Sequence, residues 1–218
     1  LKRLKYFKFV KPINFIGNIK WLLKIFANKN KGYADERTLS YLIDRTKRKL
    51  REIRGYANLY DKPQEEDFCF FPLNAEPEIS LCLWAPFRQN QIEIARHVAR
   101  SLPISFKLYI KDHPTMYGYR TRKFYRELKK IPNVKLIDSR TESFDLINKA
   151  RLVTTITGTA GWEAVVLKKP VITFGDVYYN KLSMVKKCII PEELPKIIKE
   201  QLENFKYSEE ELVDFLSA

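Results

Sequence analysis

The sequence predicts an α/β protein in which a mainly parallel sheet follows a basic helical segment. Three observations carry this expectation. From Asp67 onward, short apolar runs alternate with amphipathic segments of helical length, the pattern of a parallel sheet covered on both faces. Prolines stand where helices must stop, in Leu102-Pro103 and Lys169-Pro170, because proline removes a donor and clashes with the helix path. The charge is lopsided: residues 1–64 hold 17 Lys/Arg against 5 Asp/Glu, whereas residues 65–218 hold 23 against 21. The formal charge of +14 therefore belongs almost entirely to the first part of the chain.

Taken in order, Phe15, Ile16, Ile19, Leu22, Leu23 and Phe26 keep to one helical stripe. Gly32 breaks this pattern. A second helix follows with Leu39, Leu42, Ile43, Thr46, Leu50 and Ile53 on one face, and Arg45, Lys47, Arg48, Lys49, Arg51 and Arg54 around the rest. Residues 61–66 read as a linker. Two parts are expected: a basic helical segment or interdomain connector over 1–64, and a sheet domain over 65–218. Strands are expected at 68–72, 106–111, 134–137, 152–157, 171–174 and 187–190. Helices are expected at 89–101, 121–130, 143–150, 160–168, 192–205 and 209–216. Ser208 and Glu211 have capping-box spacing before the last of these.

A chain of 218 residues has room for one ordinary domain plus an appendage, and 45% hydrophobic content supports a real core. No run approaches the ~18 apolar residues of a membrane span. The longest, 19–27, is interrupted by Lys20 and Lys24. The chain opens on Leu-Lys-Arg rather than Met and lacks an apolar signal core, so the expectation is a piece of a longer cytosolic chain. Cys69, Cys82 and Cys188 are odd in number, far apart and without C-x-x-C spacing. They read as buried free thiols rather than a disulfide framework or zinc site. No Asp-x-Asp or His/Cys cluster calls for a metal.

Four motifs stand where strands give way to loops or helices. The turn Thr157-Gly158-Thr159-Ala160-Gly161 follows an apolar strand and opens a helix. Free N–H groups and the positive dipole end favour a phosphate there. It is neither a Walker A loop nor G-x-G-x-x-G, and a tight strand–helix turn capped by threonine accounts for the same residues. Asp112-His113-Pro114 ends another strand, and the proline keeps His113 extended at the sheet edge beside Lys111. Its imidazole can donate to a phosphate or simply be solvated. Glu163 lies one turn into the helix, placed either to complement the dipole or to accept from ribose hydroxyls. Glu76 and Glu78 flank Pro77 on an extended loop, which points them apart and argues against an acid/base dyad. His97 reads as a surface residue of a charged helix. Phe174-Gly175 closes the set.

In combination these motifs are more specific. Phe-Phe-Pro-Leu-x-x-Glu-Pro-Glu, Ala85-Pro86-Phe87, Asn90-Gln91, Lys-Asp-His-Pro, Thr-Gly-Thr-Ala-Gly-x-Glu-Ala and Thr-Phe-Gly-Asp resemble the capsule polysaccharide biosynthesis family, over about residues 66–180. That family includes β-Kdo transferases of bacterial surface glycans. The resemblance implies a GT-B architecture, with this chain similar to the Rossmann-like C-terminal half that binds the nucleotide sugar. It implies that His113 contacts the donor phosphate and is the catalytic candidate. The nucleotide-binding candidates are Asn74, Glu76, Gln91, Lys111, His113, Pro114, Thr157, Gly158, Thr159, Ala160 and Glu163. One position departs from the pattern: the first motif commonly reads Pro-Leu-His, and here Asn74 stands third.

The implied function is donor-nucleotide binding in a glycosyltransferase that uses a CMP-activated, Kdo-like sugar, with no cofactor beyond that donor. The implied partners are a glycan or glycolipid acceptor and a separate acceptor domain. The expected location is cytoplasmic, with no role for nucleic acid; the basic face is either simply solvated, the default for such a face, or a candidate surface for an anionic inner membrane. A sugar-nucleotide epimerase of the same fold and a non-catalytic binding or scaffold module are the alternatives, since fold alone does not choose among them.

Overall fold

The structure, a computed structural model, describes residues 34–217. The helical stripe expected over residues 15–26 lies outside them. The chain divides into two compact units, Leu1–Lys47 and Arg48–Ala218. Of the first unit, the described residues form the start of helix α1 (Ala34–Arg54).

The second unit is built on six strands: β1 (Phe68–Pro72), β2 (Lys107–Lys111), β3 (Val134–Ile137), β4 (Leu152–Thr155), β5 (Val171–Thr173) and β6 (Val185–Lys187). Every pairing is parallel, in the order β3-β2-β1-β4-β5-β6. This is the parallel sheet expected from the strand–helix alternation, in the Rossmann-like form that the resemblance implies. The first four residues of β1 are buried, because a central parallel strand is covered on both sides. Successive residues point to opposite faces. Cys69 and Phe71 join Leu108 and Ile110 in one layer, under Val98 of α3 (Gln91–Ser101) and Leu128 of α4 (Arg122–Lys129). Phe70, Tyr109 and Val153 belong to the other, under Ile147 of α5 (Ser143–Lys149) and Ala164 of α6 (Thr159–Val166). Two C-terminal helices, α7 (Leu194–Glu203) and α8 (Glu209–Ser217), complete the layers through Ile198 and Leu212.

Polar side chains set several helix starts. Asn90 accepts from Glu93 N at 3.3 Å, and Thr121 accepts from Phe124 N at 3.3 Å, each satisfying a donor that a helix leaves open. Glu211 N donates to Ser208 Oγ at 3.2 Å, half of the expected capping box. The carboxylate of Glu211 instead accepts from Ser183 Oγ at 2.6 Å.

The boundaries differ from expectation in instructive places. Strand β4 stops at Thr155, because Thr155 Oγ1 accepts from Gly158 N at 3.1 Å and turns the chain. The edge strand β6 lies at Val185–Lys187 rather than 187–190. Its apolar successors Ile189 and Ile190 leave the sheet and are exposed. A short helix, α2 (Ile79–Trp84), was not expected, since its N-cap Glu78 makes no side-chain capping hydrogen bond. Its Cys82 is exposed, which corrects the expectation of three buried thiols; Cys69 and Cys188 are buried, and all three are free. Residues 61–66 run along β3, with Asp61 N donating to Leu136 O at 2.7 Å and Asp61 Oδ2 accepting from Leu136 N at 2.9 Å. Just before them, Tyr56 and Leu59 enter the first core layer. Leu50 and Ile53 of α1 are exposed.

Candidate functional site

The sheet register brings four strand ends to one edge. Pro72 of β1 pairs with Lys111 of β2, Lys111 with Ile137 of β3, and Thr155 of β4 with Thr173 of β5. Strand β1 lies between β2 and β4, so the connections leaving β1 and β4 go to opposite faces. The crevice between them is where open α/β sheets take ligands.

The turn after β4 forms one wall. Gly158 is the N-cap of α6 in an extended conformation, and no side chain caps the helix. The threonine cap that could have explained the motif is therefore not what the turn uses. Tyr179 donates its hydroxyl to Gly158 O at 2.6 Å and holds the turn from behind. Gly161 N donates back to Gly158 O at 3.3 Å, the N–H groups of Thr159 and Ala160 have no acceptor among the described residues, and the dipole adds positive potential. Two glycines allow this packing. A Cβ on Gly161 would strike the Tyr179 hydroxyl and lie 2.9 Å from Thr155 Cγ2. One on Gly175 would lie 2.7 Å from Thr157 Cγ2 and 2.9 Å from Ile156 O, which explains Phe174-Gly175 after β5.

The second wall is the end of β2. His113 is exposed, and its Nδ1 accepts from Thr115 N at 3.3 Å and lies 2.7 Å from Thr115 Oγ1. With Nδ1 accepting, the neutral ring carries its proton on Nε2. Desolvation by the surrounding protein lowers the imidazole's affinity for a second proton, opposed by Asp112 and Glu78. Pro114 opens a 3-10 turn, Pro114–Met116, that positions Thr115. Asp112 is buried and holds His113 N through Oδ1 at 2.8 Å and the Tyr125 hydroxyl through Oδ2 at 2.5 Å. Burial raises its carboxyl above the usual range, against the pull of Arg120.

Asn74 bridges the walls. Its Nδ2 donates to Thr157 Oγ1 at 3.0 Å and to Glu78 Oε2 at 3.2 Å, and its backbone is clamped by Gln91 at 2.8 and 3.2 Å. Gln91 also holds Glu76. Glu76 and Glu78 thus have different direct partners, although Asn74 and Gln91 join both to the same cluster. Lys111 is buried and donates to Ser143 Oγ at 2.7 Å. Burial lowers its pKa, opposed by Glu142 and Glu163, while burial raises that of Glu163, opposed by Lys111. Each of these two groups favours the charged form of the other. His97 is exposed on α3.

The model of the capsule polysaccharide biosynthesis protein family matches residues 26–186, well over half of the chain. The chain belongs to this family. A curated relative, Protein FixF of Sinorhizobium fredii (strain NBRC 101917 / NGR234), is 32% identical over 121 residues, which is 54% of this chain and 29% of FixF. The UDP-GlcNAc 2-epimerase from Methanocaldococcus jannaschii shares the fold, with TM-score 0.53 and 15% identity over 76% of this chain and 50% of that one. The beta Kdo 2,7 transferase structure of Thermosulfurimonas dismutans KpsC has TM-score 0.49 and 18% identity, over 85% of this chain and 59% of that one. The chain thus spans less than two thirds of each of these proteins. The family match covers α1, all of the motifs and the sheet from β1 into β6.

Hydrogen bonds tie Asn74, Glu76, Glu78, Gln91 and Thr157 into one cluster, and the strand register sets His113 and Lys111 beside it. Thr159 and Ala160 stand at the open start of α6, where Thr159 is exposed. Sequence reasoning missed Arg120, Tyr125 and Tyr179. None belongs to a short motif, and their roles exist only through partners distant in sequence.

Proposed function

We propose that this chain is the donor-binding domain of a glycosyltransferase that transfers a CMP-activated, Kdo-like acidic sugar in surface-polysaccharide synthesis. The observation that supports it most is the pairing of an uncapped helix start after β4 with an outward Nε2–H on His113, at the switch point of the sheet. Both offer hydrogen-bond donors to the same kind of group, a phosphate. In glycosyl transfer the bond from the anomeric carbon to the phosphate oxygen breaks, and negative charge grows on the departing nucleotide. Donors fixed before the reaction stabilise that charge without reorganising. Thr157 accepts from Asn74, which leaves its own O–H to donate. Glu163 takes the ribose hydroxyls. Residues 65–218 form this donor domain and residues 1–64 the connector. The acceptor hydroxyl and the base that takes its proton come from an acceptor domain elsewhere in the protein.

A thermal-shift panel of CMP, UMP, UDP and ADP tests the reading. Ligand that binds only the native state raises the melting temperature by mass action. CMP is expected to give the largest shift. A larger shift with UDP would favour the epimerase alternative, and no shift with any of the four would overturn nucleotide binding.

A further inference from the structure

The cluster is centred on a residue that no motif marked. Arg120 is only 5% exposed, although it leaves a loop rather than a strand. Its Nη2 donates to Asn74 O at 2.6 Å, its Nε lies 3.4 Å from Asp112 Oδ1, and Nη2 lies 3.6 Å from Glu76 Oε1. The guanidinium sits 4.4 Å from the ring centroid of Phe124, and Tyr56 donates to Arg120 O at 2.9 Å. Nε and Nη1 have no hydrogen-bond partner among the described residues. Such a cation is a poor stability device, because apolar replacement of a buried ion pair is often neutral or better. Its value lies in its reach. One rigid plane touches the loop after β1 through Asn74 and Glu76, and the end of β2 through Asp112.

We propose that Arg120 is a positioning residue for the candidate nucleotide site, holding Asn74 and Asp112 at a fixed separation and, through them, the Thr157 hydroxyl and the His113 ring. Its purpose rests on the nucleotide-binding reading above; its geometry does not. Asn74 passes the constraint to Thr157 through its Nδ2, and Asp112 passes it to His113 through the backbone N–H. Lysine cannot replace it, since a point charge on a flexible stem lacks the fork that addresses two directions at once.

The test uses the full chain with Arg120→Lys, Arg120→Met and the double variant Arg120→Lys/Asn74→Ala. CMP affinity is measured by calorimetry well below each melting temperature, and the His113 ring nitrogens and Asn74 side-chain amide are followed by NMR without ligand. Arg120→Lys is expected to fold, to weaken CMP about tenfold or more, and to shift the His113 and Asn74 signals while His97 stays in place. Adding Asn74→Ala is expected to cost little more, since both changes break one linkage. Unmoved His113 and Asn74 signals in Arg120→Lys would overturn the proposal, whatever the affinity. So would failure of both single variants to fold, or an affinity loss that only tracks the unfolded fraction. A wild-type chain that ignores CMP would sink the nucleotide reading alone, and the ligand-free signals would still decide the role of Arg120.

Discussion

His113 illustrates how a single side chain is set by its neighbours. Thr115 fixes the tautomer, Asp112 fixes the backbone, and Pro114 opens the turn that supplies Thr115. Replacing His113 by alanine is expected to weaken CMP binding by about 1–3 kcal/mol, the scale of a hydrogen bond to a charged group. The melting temperature should barely move, because the ring carries little core packing. Unchanged calorimetric affinity would remove His113 from the site. Its titration gives a second test. The folded-state pKa is lowered, so as pH falls through about 6.5 the unfolded chain takes up the proton first. The native state then loses stability until its own lower pKa is passed. Denaturant titrations between pH 8 and pH 5 should show wild type losing stability relative to His113→Gln in that window. Parallel curves would show that the ring is not desolvated.

Helix α6 carries the element-scale argument. Its start is placed by strand β4 below it and by Tyr179 behind it, and Gly161 lets the helix lie close against both. Burial raises the pKa of the Tyr179 phenol, so it stays protonated and keeps donating to Gly158 O. Gly161→Ala is expected to destabilise the fold by about 1–3 kcal/mol, the usual cost of overpacking. It should also weaken CMP binding, because the helix start must shift to admit the methyl group. Chemical denaturation and nucleotide titration of that variant check both. Wild-type values for each would mean that the turn has slack.

At the scale of the whole molecule, the question is what the basic segment meets. Residues 1–64 carry 17 Lys/Arg against 5 Asp/Glu. Exposed Leu50 and Ile53 add apolar surface beside Arg51 and Arg54. Among the described residues, no helix is long and apolar enough to cross a membrane. An anionic bilayer surface attracts basic residues at ~1 kcal/mol each when they lie close to it. Co-sedimentation with anionic liposomes at low salt is therefore expected, fading as salt shortens the Debye length. Equal pelleting with neutral liposomes, or none with anionic ones, would remove electrostatic membrane attachment.

The sequence by itself determined the sheet. Runs such as 68–72 and 134–137 are bounded by turn residues and separated by helix-period segments, and burial on both faces leaves such strands few alternatives. The loops of the site were also legible, because glycine, proline and histidine at strand ends are local signals. Tertiary structure decided what those loops share. Asn74 meets Thr157 across 83 residues, and Arg120 meets Asn74 across 46. No local spacing encodes such pairs. The same reason explains Cys82, Ile189 and Ile190: apolar neighbours in sequence imply burial only where a second layer covers them, and no such layer lies over them among the described residues. Periodicity records which face of an element is apolar, whereas the partner of a polar group is fixed only once the sheet order has brought distant strand ends together.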